Sequence, residues 1–279
     1  AVYIYPDYNS TGSDGVFTMT SGTVKATNTY IDMSTALTIT GMVILDASQN
    51  FYIGNTTKPS SIGISGNITV PNGVLSIAST GAITQSAGTI STTSGGTITL
   101  ESENASTLQT VTSAAGLTLN KNSSAVVYTV NGSTLTVPGA LTINAGATLA
   151  LGGSDTTLNN TSGSFDNKGI LQIEGDEILT AFTNDTGEGL VKYVGGAGSP
   201  YTGLKAGNNY YNLTFDGSGK SWTLNAALDV NNNLTITAGT LSAAGYQINI
   251  GGSWTNSAIF TSGSNTVVFD GTSQKIFGA

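Results

Sequence analysis

The sequence predicts an all-β protein and, more narrowly, a parallel β-solenoid (β-helix) of short strands, arranged in one or two blocks. Short apolar triplets, many of the form apolar-Thr-apolar, recur along the chain, commonly six to nine residues apart. No segment shows a sustained helical period or a capping box that leads into a helix. Turn formers such as Pro71-Asn72-Gly73 and Pro138-Gly139 separate successive triplets. Strands this short and this frequent favour a solenoid over a sandwich, whose strands average about five or six residues.

The triplets also predict which side chains form the core. Leu117-Thr118-Leu119 and Leu141-Thr142-Ile143 are typical examples. Because side chains alternate along a strand, each triplet turns two apolar side chains to one face and its Thr to the other. We therefore expect coils of about 20 residues with a stacked apolar interior and outward Thr. At turns such as Asn231-Asn232-Asn233 we expect amide ladders between coils.

The pattern divides the chain into four segments. Residues 1–35 are expected to form an N-terminal strand and loop, interpreted as an assembly arm, because AVYIYPDY alternates like a strand. Residues 36–184 form the main solenoid block, and residues 185–209 form a joint rich in Gly and Pro. Residues 210–279 form a terminal solenoid repeat.

Composition excludes several classes of partner. The 279-residue chain is only 9% charged, carries a net charge of −8, and contains neither His nor Cys. Nucleic-acid binding needs a basic surface, so we expect no nucleic-acid partner. No apolar run approaches the roughly 20 residues that span a bilayer, so we expect no membrane insertion. The chain opens at Ala1 without Met or a leader, which we interpret as a mature secreted chain, with a shortened chain as the alternative.

A repeat pattern is concentrated in residues 210–278. Phe215-Asp216-Gly217-Ser218 returns as Phe269-Asp270-Gly271-Thr272, at an offset of 54 residues. The other residues of the pattern are Tyr211-Asn212-Leu213-Thr214, Gly219, Trp222-Thr223-Leu224, Asn233-Leu234-Thr235-Ile236, Gly239-Thr240-Leu241, Gly251-Gly252, Trp254-Thr255-Asn256, Phe260 and Val267-Val268.

This terminal pattern resembles the repeats of large secreted and cell-surface, adhesin-like β-helix proteins of bacteria and archaea. The resemblance covers about a quarter of the chain. It implies an extracellular, adhesive or scaffolding role and transfers no functional residues.

Catalysis is not expected. Solenoid enzymes that act on polysaccharides usually combine carboxylates with Arg, Lys or His. Here the only carboxylate groupings are Glu101/Glu103 and Glu174/Asp176/Glu177, and the chain contains no His or Arg. We interpret these groupings as solvated turn charges, and expect no cofactor other than a candidate calcium ion.

The candidate calcium site is the loop that follows the first strand. Asp7, Asn9, Thr11 and Asp14 place oxygen ligands at spacings that resemble those of calcium-binding loops. Thr18 stands where such a loop would have a bidentate Glu. An ordinary Asx-rich turn is the alternative interpretation.

Flat arrays of Thr on solenoids can order water, which makes ice binding a further alternative. The Thr-x-Thr units begin at Thr18, Thr38, Thr97, Thr134 and Thr235. Their spacing is irregular and indicates no single array. The interpretation we prefer is ordinary outward Thr on strands.

Asn-x-Ser/Thr sequons are frequent and make glycosylation a further expectation. Chance alone would produce many of them in a chain so rich in Asn, Ser and Thr. The sequon asparagines are Asn9, Asn55, Asn67, Asn104, Asn122, Asn131, Asn159, Asn160, Asn184, Asn212 and Asn233.

The functional hypothesis is an extracellular structural protein, the subunit of a surface filament or scaffold that assembles through its open β-sheet ends. The predicted partner is a second copy of the chain, and the predicted assembly residues are Val2, Tyr3, Ile4, Tyr5, Phe269, Ile276 and Phe277. The alternative is a cell-surface adhesin or carbohydrate-binding module. Its candidate sugar-stacking aromatics are Tyr8, Tyr201, Tyr210, Tyr211 and Trp254.

Overall fold

A computed structural model describes residues 2–4, 17–24, 27–45, 48–161 and 163–278, the first two ranges by backbone alone. All secondary elements of these residues are strands, and their pairing is parallel, so the prediction of an all-β parallel solenoid is confirmed, with about 11 turns. The strands are β1 Val2–Ile4, β2 Phe17–Val24, β3 Asn28–Ile31, β4 Ala36–Leu45, β5 Asn50–Ile53, β6 Ser61–Ile64, β7 Ile68–Pro71, β8 Val74–Ala78, β9 Ile83–Gln85, β10 Thr89–Thr93, β11 Thr97–Ser102, β12 Ser106–Leu108, β13 Thr110–Thr112, β14 Gly116–Lys121, β15 Val126–Asn131, β16 Thr134–Thr136, β17 Ala140–Ile143, β18 Ala147–Gly152, β19 Thr157–Asn159, β20 Phe165–Asn167, β21 Ile170–Ile173, β22 Ile178–Thr180, β23 Leu190–Tyr193, β24 Tyr201–Thr202, β25 Asn209–Tyr210, β26 Asn212–Thr223, β27 Leu228–Val230, β28 Leu234–Ser242, β29 Ile248–Ile250, β30 Trp254–Asn256, β31 Ile259–Thr261, β32 Val267–Phe269 and β33 Ile276–Gly278.

Each regular coil contributes one strand to each of three faces. Long strands such as β4, β26 and β28 turn the corner between faces 2 and 3 and contribute to both. Face 1 contains β1, β3, β5, β8, β11, β14, β17 and β20, followed by β25, β27, β29 and β32. Face 2 contains β2, β4, β6, β9, β12, β15, β18, β21, β23, β26, β28, β30 and β33. Face 3 contains β2, β4, β7, β10, β13, β16, β19, β22, β24, β26, β28 and β31.

The core lies inside the three faces and is made of stacked apolar columns. In β11 the inward residues Ile98 and Leu100 are fully buried, and the Thr99 side chain between them faces outward. Ile98 pairs with Leu117 of the next coil, and Leu117 pairs with Leu141 of the coil after that. Complete burial of one such side chain contributes about 1.5–3 kcal/mol. The alternation predicted from the apolar-Thr-apolar triplets therefore produces the core.

Coil length varies, because the corners between strands differ in length. Ile98 and Leu117 are nineteen positions apart, whereas Leu141 and Phe165 are twenty-four positions apart.

The expected amide ladders are present at the corners. The Asn232 side-chain amide donates to the Asn212 Oδ1 atom at 3.0 Å, which confirms the expected ladder at residues 231–233.

The segment predicted as a joint, residues 185–209, interrupts two faces and leaves the third intact. Face 1 has no strand between β20 and β25 among the described residues, and no pairing joins β22 to β24 on face 3. Face 2 continues without a break, because β23 pairs with both β21 and β26. The segment is therefore an irregular coil that contains β23 and β24, rather than a plain loop.

Large aromatic side chains fill the core at this level. Tyr193, Tyr210, Phe215 and Trp222 are all fully buried. The ring centroids of Tyr193 and Phe215 are 5.4 Å apart, and those of Phe215 and Trp222 are 5.2 Å apart. The buried area of these rings replaces part of the contact that the missing strands provide elsewhere.

The 54-residue sequence repeat does not correspond to a structural repeat. Phe215 lies on face 2, where it pairs with Tyr193. Phe269 lies on face 1, where it pairs with Ile250. Because 54 residues is not a whole number of coils of this length, the two similar segments occupy different faces.

Candidate functional site

The candidate assembly site is the edge formed by β31, β32 and β33. These are the last described strands of faces 3, 1 and 2, and each pairs with a strand of an earlier coil. None has a strand partner on its other side among the described residues. Unpaired N–H and C=O groups along such an edge can pair with a further strand.

Apolar side chains are exposed at this edge. Ile276 is 68% exposed, Ile259 59% and Phe277 50%. Phe269 continues the column of Ile250, which is fully buried one coil earlier, yet is itself only partly buried. Among the described residues, no strand covers these apolar side chains at this edge.

The aromatic side chains of the edge pack against one another. Trp254 and Phe260 are in edge-to-face contact, with ring centroids 4.7 Å apart, and Trp254 lies 6.4 Å from Phe269. All three are partly buried against the core. These contacts hold the three rings together at the edge.

The predicted assembly residues are found at both edges of the solenoid. Phe269, Ile276 and Phe277 lie in β32 and β33. Val2, Tyr3 and Ile4 form β1, which pairs with β3 at the opposite edge of face 1. Tyr5 lies outside the described residues.

The Glu101/Glu103 grouping has protein partners. The Lys58 ammonium donates to Glu101 and also to the Asn122 Oδ1 atom, at 2.8 Å, so it connects its own coil with the coils two and three further along. Glu103 accepts hydrogen bonds from the side chain and backbone of Ser123 and from the Ser124 N–H. These bonds, that from the Ser123 side chain first, lower the pKa of Glu103 to about 2. Glu103 holds neighbouring coils together, and Glu101 links its coil to that of Lys58, two coils earlier.

The Glu174/Asp176/Glu177 grouping does not behave as a set of solvated charges. Glu177 is fully buried and accepts the backbone N–H groups of Glu174 and, at 2.9 Å, Gly175. Burial raises the pKa of Glu177 despite these bonds. The expectation of a solvated turn charge is therefore wrong for Glu177, which closes a turn from inside.

A further acidic cluster was not found by sequence reasoning. Carboxylate oxygens of Asp166, Asp185 and Glu188 lie within 4.8 Å of one another. Lys168 forms ion pairs with Asp166 and, at 3.7 Å, with Glu188. Asp185 accepts the Asn167 N–H at 2.9 Å. The lysine and these bonds account for the cluster, whose members come from two coils and therefore share no local motif.

The other predicted residues fall into two groups. Asp7, Asn9, Thr11 and Asp14, the candidate calcium ligands, lie outside the described residues, as does Tyr8. Of the candidate sugar-stacking aromatics, Tyr210 is fully buried and Tyr201 is 5% exposed, so neither can stack on a sugar. Tyr211 and Trp254 are partly exposed.

The sequon asparagines differ in accessibility. Asn160 is buried, and its side-chain amide donates to the Val137 and Gly139 carbonyl oxygens. Asn9 lies outside the described residues. The side chains of Asn122, Asn159, Asn184 and Asn212 are partly exposed, and the exposed ones are those of Asn55, Asn67, Asn104, Asn131 and Asn233.

The fold class is that of a β-solenoid. Comparisons with known proteins found no match. No protein-family profile matches the chain, and neither a curated protein nor a solved structure matches it. No helix in the described part of the chain is long and apolar enough to cross a membrane.

Proposed function

We propose that this protein is an extracellular structural protein, the subunit of a surface filament or scaffold. In this proposal the edge formed by β31, β32 and β33 is covered by the β1 and β2 edge of a second copy. The exposure of Ile276, Ile259 and Phe277 at a sheet edge is the observation that carries it.

The polarity of the strands supports a head-to-tail contact. All three faces run parallel, so the N-terminal edge of one copy continues the strand direction of the C-terminal edge of another. Each edge presents a strand of face 1 and a strand of face 2, namely β1 and β2 at one edge and β32 and β33 at the other. Because this contact joins two different surfaces, it does not close on itself and generates a linear polymer.

Electron microscopy and sedimentation of the purified chain test the proposal. We expect filaments or concentration-dependent oligomers, and we expect Ile276→Asp/Phe277→Asp to give folded monomers, since a buried unpaired charge opposes the contact. Deletion of residues 1–6 should have the same effect. Circular dichroism confirms that each variant remains folded.

Val127→Asp is the matched control. Val127 is 37% exposed on face 2, away from either edge, and its replacement should leave assembly unchanged. A wild-type chain that stays monomeric at all concentrations, or a double variant that still polymerises, would overturn the proposal. Monodisperse rods with affinity for glycans would instead support the adhesin alternative.

A further inference from the structure

The outer surface of face 3 carries two adjacent columns of small hydroxyl-bearing and amide side chains. They come from four successive coils, in which two outward residues flank one buried apolar residue. We call this surface the threonine face. Its first column is Thr89, Thr110, Thr134 and Thr157, and its second is Ser91, Thr112, Thr136 and Asn159.

The pairing register joins the second column directly, and the pairing of Val111 with Leu135 aligns Thr110 with Thr134 in the first. Thr112 pairs with Thr136 in the next coil, and Thr136 pairs with Asn159 in the coil after that. The remaining register pairs of the two columns are Thr89 with Thr110, Ser91 with Thr112, and Thr134 with Thr157.

Most of the hydroxyl groups of this surface are free to bind water. Ser91 contacts the Thr69 hydroxyl at 3.1 Å. The hydroxyls of the five Thr in the coils from β13 to β19 make no hydrogen bond to the described part of the chain. They are Thr110, Thr112, Thr134, Thr136 and Thr157.

The other two faces differ in charge and in continuity. On face 1 a column of Thr99, Thr118 and Thr142 leads to Asp166. On face 2 the corresponding column changes from Thr129 to Ala150, Gln172 and Lys192 in three successive coils. The threonine face contains no ionisable side chain in either column.

The geometry of the threonine face is a regular grid. Side chains two positions apart on a strand are separated by about 6.7 Å, and neighbouring coils by about 4.8 Å. Thr is β-branched and has few χ1 rotamers, so its methyl and hydroxyl groups are held in place before any ligand binds. The two spacings of this grid are close to the repeats of water oxygens in ice.

We propose that the threonine face binds ice. The free hydroxyls anchor water molecules at the lattice spacing, and the methyl groups between them keep those waters ordered. Charged groups would orient water around themselves instead, and the two columns contain none. The site is independent of the proposed assembly edge, since it lies on the flank of the solenoid between β10 and β19.

The irregular spacing of Thr-x-Thr units in the sequence is explained by the corners. Thr97 lies on face 1 and Thr38 and Thr235 on face 2, so these units do not join the array. The array instead includes Thr110-Val111-Thr112 and less obvious members such as Thr157-Leu158-Asn159.

Thermal hysteresis and ice-crystal shape test the proposal. The wild-type chain should open a gap between melting and freezing points and produce faceted crystals. T112K/T136K, which places two long side chains in the centre of the grid, should lose both effects.

T118K/T142K is the matched control. Thr118 and Thr142 are outward residues that pair with each other on face 1, so this variant carries the same change in charge on another face. It should retain the wild-type gap, with the fold of both variants checked by circular dichroism. A wild-type chain with neither hysteresis nor crystal shaping, or full activity in T112K/T136K, would overturn the proposal.

Discussion

The hydroxyl oxygens of Tyr193 and Tyr210 lie 2.9 Å apart inside the core, at the level where faces 1 and 3 are interrupted. The Tyr210 hydroxyl donates to the Gly207 carbonyl oxygen at 2.6 Å, so its single proton is already used. Tyr193 must therefore donate to Tyr210, and it accepts the Ala206 N–H at 3.1 Å. Burial raises the pKa of both hydroxyls. The pair fastens the irregular segment to the core.

Loss of this network should destabilise the fold. Tyr210→Phe leaves the Tyr193 donor and the Gly207 acceptor without a partner in the core, which should lower the free energy of unfolding by about 1–3 kcal/mol. Urea unfolding measures the change. Tyr246→Phe is the control, because Tyr246 is 40% exposed and its replacement should change the free energy by less than about 0.5 kcal/mol.

The two hydroxyls should also be energetically coupled. Because each depends on the same hydrogen bond, Tyr193→Phe/Tyr210→Phe should cost less than the sum of the single variants. Additive effects in this double-mutant cycle would contradict a shared bond.

Close stacking of backbones predicts that some glycines cannot be replaced. A Cβ atom at Gly139 would lie 1.8 Å from the Ala115 carbonyl oxygen of the preceding coil. Gly139→Ala must push the coils apart and should destabilise by about 1–3 kcal/mol or more, as measured by thermal and urea unfolding. Gly187→Ala is the control, since its nearest contact would be an ordinary 3.4 Å from the Asp185 Oδ1 atom. Equal effects of the two replacements would contradict the steric explanation.

Glu103 should contribute stability that depends on pH. Its pKa is lowered from 4.5 to about 2 in the folded chain, so folding favours the ionised carboxylate. The contribution is fully present above pH 4.5 and is lost as the pH falls towards 2. Urea unfolding of the wild type and of Glu103→Gln across this range should show a difference that shrinks with acidification. A difference that is constant with pH would show that the carboxylate charge is not responsible.

Glycosylation of each sequon should depend on whether the side-chain amide of its Asn is exposed or is hydrogen-bonded inside the fold. Asn131 is exposed and should be modified when the chain is produced in a host that glycosylates Asn-x-Ser/Thr sequons. Asn160 should stay unmodified, because its amide bonds two carbonyl oxygens within the buried corner. Glycopeptide mass spectrometry measures the occupancy of both sites. A glycan on Asn160 of the folded protein would contradict this prediction.

The local rules of the fold could be predicted from sequence, because they depend on neighbours in the chain. Alternation in Leu117-Thr118-Leu119 is enough to place two side chains inside and one outside. This alternation requires no knowledge of how long each coil is. An amide ladder at Asn231-Asn232-Asn233 could be expected from the run of Asn, whereas its partner, Asn212, could not be named.

Cross-coil relationships could not be predicted, because corner length sets them and no local signal reports it. The Lys58 contact with Glu101 spans 43 positions, and the alignment of Thr112 with Thr136 depends on the corner between them. A difference of a few residues in one corner moves a motif to another face, which is why Phe215 and Phe269 are not equivalent.

The interruption of faces 1 and 3 has a mechanical consequence. Along most of the rod, tension parallel to the axis is shared by three ladders of hydrogen bonds that act side by side. Between β22 and β24 the ladder of face 2 carries that load alone among the described strands, helped by side-chain links such as that from Asn231 to the Thr186 carbonyl oxygen. We expect the rod to rupture first at this level when it is stretched in a single-molecule force experiment, because this segment is its weakest point under tension.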